Sequence, residues 1–164
     1  LVSVSPRAWV RTYKATTARF YWDWDSLYEA QVRNDAPFTP AVQTIAALNV
    51  ALGMLLDEGQ EATFERHRKM GRQCREGIRS MGLKLFSPED DTSSVLTAVF
   101  TDKANDFNSA VEQRCGVTFA PSHQQLNDLV FRIGHVGYMN HNDVAVALDA
   151  VAQQMAVREE AYAS

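Results

Sequence analysis

The stretch FRIGHVGYMNHNDVAVALDAV, Phe131–Val151, changes its period halfway along. Its first residues continue Leu129 and Val130 into the short apolar run LVFRI, which reads as a strand with an arginine near its end. Gly134 and Gly137 bracket His135 and permit a tight bend. From about Asn142 the apolar residues Val144, Ala147, Leu148, Val151 and Met155 fall on one face of a helix. A strand, a bend and an amphipathic helix in this order imply a sheet covered by a helix. Arg132 is then a charged group with no packing task of its own.

The upstream sequence supplies the rest of that layer. A helix is expected over about Glu61–Met81, with Phe64, His67, Gly71, Cys74, Ile78 and Met81 on its packing stripe. Arg66, Arg68, Lys69, Arg72, Arg75 and Arg79 lie on its other side, and the interleaved Glu65 and Glu76 make that side a solvated face. Gly82 ends the helix. LKLF and SVLTAVF then read as strands separated by a Ser-Pro-Glu-Asp-Asp-Thr-Ser turn. Asn105 or Asp106 is expected to cap a helix that buries Phe107, Ala110 and Val111 and closes at Gly116. The strand VTFA and the polar loop PSHQQLND precede LVFRI. The order helix, strand, strand, helix, strand, strand, helix is an α+β layer with one small sheet and its helices on one face.

Before this layer, Thr39 is expected to cap a helix opened by Pro40, AVQTIAALNVALGMLLDEG. Apolar or small residues occupy nearly every side of it, so it reads as buried between two bodies of protein. Leu1–Ser5 alternates like a strand, Pro6 to about Thr12 reads as a short helix, and most of the aromatic, acidic RFYWDWDSLYEAQVRNDAPFTP reads as an irregular arm whose Phe20–Tyr28 part makes a subunit or interdomain contact. The chain starts at Leu1 rather than at a methionine, which suggests a fragment or a processed product.

Composition narrows the function. The 164 residues are 46% hydrophobic and 22% charged, enough for one globular domain with an appended arm or helix. Sixteen Lys and Arg against 20 Asp and Glu give a net charge of −4, so neither nucleic acid nor an acidic membrane is expected as a partner. No apolar run reaches the roughly 18 residues of a membrane span, and a cytoplasmic location is expected. Cys74 and Cys115 have no metal-ligand or redox spacing, so no metal is assigned. His67 and Cys74 read as packing residues, and His135 as a hydrogen-bonded turn histidine.

Taken in order, FTPAVQTIAALNVALGMLLDEG, ERHRKMGRQCREGIRSMGLKLF and FRIGHVGYMNHNDVAVALDAV resemble the C-terminal part of the class V aminotransferases, nearest the alanine-glyoxylate and serine-pyruvate group. Each piece alone is weak, whereas the ordered set is fairly specific and covers nearly the whole chain. The resemblance implies the small C-terminal domain of the aspartate-aminotransferase-like fold, fold type I, with a mainly antiparallel sheet. Residues 1–38 would then be a strand, helix and arm of the large domain, 39–59 an interdomain helix and 60–164 the small domain.

The same resemblance implies a pyridoxal 5'-phosphate enzyme that moves an amino group between a small amino acid and a 2-oxo acid such as glyoxylate or pyruvate, as a homodimer. Arg132 matches the family's clamp for the substrate carboxylate, a task that suits a planar guanidinium because two parallel hydrogen bonds fix the acid's orientation. Thr39 matches a donor to the cofactor phosphate of the neighbouring subunit. Phe38 stands where many relatives carry tyrosine, which removes a hydroxyl, and APSHQQLND lacks the glycine-rich stretch common in relatives. A transaminase also needs a lysine for its Schiff base. None of Lys14, Lys69, Lys84 and Lys103 matches that position, so no catalytic residue is assigned in this chain. The family's lysine would lie upstream of Leu1, and the chain alone would be inactive. The alternative is a non-catalytic dimerisation or carboxylate-binding domain.

Overall fold

The computed structural model describes residues 2–87, 93–121, 126 and 128–163. They fall into two compact units, Leu1–Gly53 and Met54–Ser164.

In the first unit, α1 (Pro6–Lys14) starts with proline at its first turn, and the Ser5 hydroxyl accepts a hydrogen bond from the Ala8 amide. Residues 2–5 form no strand, since alternation makes a strand only where another strand pairs with it. The expected irregular arm contains a helix, α2 (Trp24–Val32), capped by Asp23, whose carboxylate accepts from the Ser26 amide and hydroxyl. Trp9 meets Trp24 and Tyr28 edge-on, at 6.1 and 5.6 Å between ring centroids, so aromatic contacts rather than helical periodicity organise this segment.

α3 (Val42–Glu58) begins three residues after Thr39, so Thr39 is not its cap. None of its residues is buried; the expected burial between two bodies of protein concerns surroundings that the described residues do not include. Apolar composition states what a helix can bury, and within the described residues nothing covers this one.

The second unit carries the α+β layer. α4 (Gln60–Ser80), β1 (Leu96–Phe100), α5 (Ala104–Cys115), β2 (Ala120–Pro121), β3 (Val130–Gly134) and α6 (His141–Ala163) follow in chain order. The sheet is antiparallel with strand order β1-β3-β2, so β3 is its centre. LKLF does not form a strand of its own and is reduced to a bridge between Leu85 and Val99. Of VTFA only Ala120 is in a strand, β2, which runs on to Pro121. The Ser-Pro-Glu-Asp-Asp-Thr-Ser turn and the PSHQQLND loop lie largely outside the described residues.

One core joins the helices to one sheet face. Met70, Cys74 and Ile78 of α4, Phe107 and Val111 of α5, and Val144 and Val151 of α6 pack with Val99, Phe131 and Ile133. On α4, Gly71, Cys74 and Ile78 are buried as the expected stripe has them, while nearer its start the packed face moves by one position: Thr63 and Met70 are buried and Phe64 is 44% exposed. A shift of one position is about 100° around a helix, enough to move a side chain off the packed face. α5 is not capped by Asn105 or Asp106. Instead Asp128, distant in sequence, accepts from the Ala104 amide through its carbonyl and from the Asn105 amide through its carboxylate. Gly116 closes α5 in the left-handed conformation, at φ 66°. α6 starts with a reciprocal cap, the Asn140 side chain accepting from the Asn142 amide and Asp143 from the Asn140 amide.

α4 and α6 approach closely at Gly77. A Cβ there would lie 2.5 and 2.7 Å from the two methyl carbons of Leu148. Gly77→Ala is therefore expected to destabilise the protein by about 1 kcal/mol, since overpacking of roughly 1–3 kcal/mol outweighs a helix-propensity gain of about 1. Thermal melts of Gly77→Ala with and without Leu148→Ala check this. If Leu148→Ala does not relieve the cost of the alanine, the close contact is not its source.

Candidate functional site

Arg132 lies at the middle of the central strand. Strand alternation sends Phe131 and Ile133 into the core and Arg132 to the opposite face. Its direct neighbours across the sheet are Ala98 on β1 and Ala120 on β2. These small side chains leave the guanidinium uncovered. Its Nε donates to the Pro121 carbonyl at 2.9 Å, and its two terminal nitrogens have no partner among the described residues. No carboxylate there forms an ion pair with it. A half-buried cation with one nitrogen anchored and a fork of donors unmatched among the described residues is suited to an external carboxylate.

The residues after Arg132 are tied down at two places. His135 is fully buried, its Nδ1 3.1 Å from the Ser94 carbonyl and its Nε2 2.9 Å from the Thr97 hydroxyl. A carbonyl can only accept, so Nδ1 carries the proton and Nε2 accepts from Thr97. This agrees with the reading of a hydrogen-bonded histidine. Burial holds its pKa below the ordinary imidazole value of 6.5, and the charge on Arg75 adds to that, against the opposing pull of the Ser94 carbonyl.

Further on, Arg66 donates to the Gly137 and Met139 carbonyls, while its Nη2 meets a Glu58 oxygen at 2.9 Å. The hydrogen bonds that Glu58 accepts from Arg66, with one from the Thr63 hydroxyl, hold its carboxyl down at about 2. Arg66 thus does not belong to the solvated face, unlike Arg68 and Lys69, which pair with Glu65. Nothing in the local sequence marks Arg66 apart from its basic neighbours, because its partners lie 71 and 73 residues away.

The buried imidazole makes stability depend on pH. The folded pKa is lowered, so between it and the unfolded value the unfolded chain binds more protons. Stability should be full above about pH 6.5 and fall as the pH drops through that value. Melting temperatures between pH 7.5 and 5.5 are expected to decline, and His135→Asn should flatten that decline. An unchanged slope in the variant would assign the effect to other groups.

Thr39 belongs to the first unit, at the edge of a cavity of about 980 Å³ lined also by Tyr21, Asn34, Asp35 and Phe38. Its side chain is exposed. Phe38 packs on Tyr21 at 4.9 Å, so the ring without a hydroxyl is used in an aromatic contact. One exposed hydroxyl beside Asp35 suits a supplementary contact to a phosphate, not the whole of its binding. The lysines are placed elsewhere: Lys14 ends α1, Lys69 pairs with Glu65, Lys84 lies over the Phe100 ring and Lys103 precedes α5. Cys74 is buried in the core, and Cys115, at the end of α5, meets Gln153. Among the described residues no helix is long and apolar enough to cross a membrane.

No protein-family model matches the chain. A soluble hydrogenase 42 kDa subunit of Anabaena cylindrica is 33% identical over 145 residues, 87% of this chain and 38% of that protein. An L-aspartate–glyoxylate aminotransferase of Paracoccus denitrificans is 31% identical over 157 residues, 93% of this chain and 39% of that protein. The solved structure of a pyridoxamine–pyruvate aminotransferase from Mesorhizobium loti matches with a TM-score of 0.86 at 31% identity, covering 94% of this chain and 41% of that one. The chain thus spans about two-fifths of the length of these relatives. By sequence and by fold it belongs with the class V aminotransferases and matches their C-terminal part.

Proposed function

We propose that this chain is the substrate-carboxylate side of an aminotransferase that moves an amino group between a small amino acid and a 2-oxo acid such as glyoxylate or pyruvate. The observation that carries the reading is Arg132, a guanidinium flanked by alanines whose terminal nitrogens are unmatched among the described residues. It orients the acid so that one Cα bond faces the reacting centre. Thr39 adds a hydroxyl to the phosphate of pyridoxal 5'-phosphate in a neighbouring subunit of a cytoplasmic homodimer. The cofactor supplies the electron sink that makes the Cα proton removable.

The Schiff-base lysine belongs to a part of the enzyme outside this chain, and the chain alone is inactive. The uncovered apolar sides of α3 support this reading, being what a helix between two bodies of protein would present. The test is amino transfer by the full-length protein that carries this chain, with small amino acids as donors and glyoxylate or pyruvate as acceptor, read as glycine or alanine formed. Cofactor-dependent product is expected. Hydrogenase activity without amino transfer, in line with the name of the Anabaena relative, would overturn the proposal.

A further inference from the structure

We propose that Thr97 and His135 are positioning residues for Arg132, fixing the end of β3 against β1 so that the guanidinium keeps one orientation toward its carboxylate. The inference rests on the carboxylate reading of Arg132. Within the described residues Arg132 has a single side-chain bond, to the Pro121 carbonyl, so its aim depends on the strand that carries it. That strand ends in Gly134, which is exposed and offers no side chain to pack.

Beyond Gly134, the His135 amide donates to the Val95 carbonyl, continuing the ladder past its last register pair, Leu96 with Gly134. The imidazole then bonds the same segment twice, at the Ser94 carbonyl and the Thr97 hydroxyl. Thr97 is itself buried and stands directly across from Ile133. α4 closes the remaining side, because a Cβ on Gly71 would lie 3.2 Å from His135 Cε1. The ring is therefore held from β1 and from α4, three residues from the arginine.

The experiment compares Thr97→Val, Thr97→Ser and Arg132→Lys in the full-length protein, with propionate as a competitive inhibitor that carries a carboxylate and no amino group, and propylamine as its converse. Thr97→Val keeps the shape and removes the donor to His135. It is expected to raise the Ki of propionate about tenfold, as misaimed contacts do, and to leave the Ki of propylamine and the cofactor content unchanged. Thr97→Ser, which keeps the hydroxyl, should restore propionate binding. A propionate Ki unmoved by Thr97→Val but raised by Arg132→Lys would overturn the positioning role alone. If Arg132→Lys leaves it unmoved as well, the carboxylate reading falls and takes this inference with it. A loss of both inhibitors in Thr97→Val would mark a general structural effect and would equally overturn the role. Should Thr97→Val fail to fold, His135→Gln carries the same comparison.

Discussion

Arg132→Ala in the full-length protein is expected to raise KM for the amino donor by about a hundredfold or more. A charge-assisted hydrogen bond contributes about 1.5–3 kcal/mol, and a guanidinium gripping a carboxylate through both terminal nitrogens makes two. Allowing for non-additivity, a loss of about 3–4 kcal/mol corresponds to two to three decades in kcat/KM. The turnover number should fall too, because an acid held at one end only no longer presents a single Cα bond to the cofactor. Arg132→Lys separates charge from shape: it keeps a cation and loses the fork, so an intermediate defect is expected. Steady-state kinetics with one amino acid and one 2-oxo acid check the series. Unchanged constants in Arg132→Ala would reduce the residue to a support for the Pro121 carbonyl.

The sequence was most readable where one element decides its own form. β3 and α6 are evident from the change of period at Gly134–Asn140, and Gly116 closes α5 because a left-handed residue there favours glycine. It was least readable where form depends on a distant partner. Leu1–Ser5 and LKLF both have strand-like patterns, yet residues 2–5 pair with no strand and Leu85 forms only a bridge. The cap of α5 comes from Asp128, on the far side of β2 in the chain, so the local candidates Asn105 and Asp106 misled.

The site divides in the same way. Arg132 stands out locally as a charge in an apolar run, and His135 as a histidine between glycines. Their partners do not: Thr97 is one of several threonines, and Arg66 one of many arginines on α4. Only the register Thr97 with Ile133 and the fold of the turn at Gly137–Met139 turn them into supports.

Phe131→Ala should cost the protein about 3–5 kcal/mol, the range for truncating a fully buried phenylalanine. Phe131 stacks on Phe107 at 4.8 Å between centroids with 26° between planes and lies 5.4 Å from Phe119, so its removal strips contacts from two other rings. Domains are stable by only about 5–15 kcal/mol, which makes this a large fraction of the total. Urea unfolding should show a lower midpoint with an unchanged slope, as for a lost contact rather than a changed endpoint. Phe131→Leu, which refills much of the space, should cost clearly less. A loss below 1 kcal/mol for the alanine would mean that the three rings are not the core of this layer. The expected large loss ties the two faces of β3 together: the strand that aims Arg132 outward is held in register by the ring next to it, which packs inward.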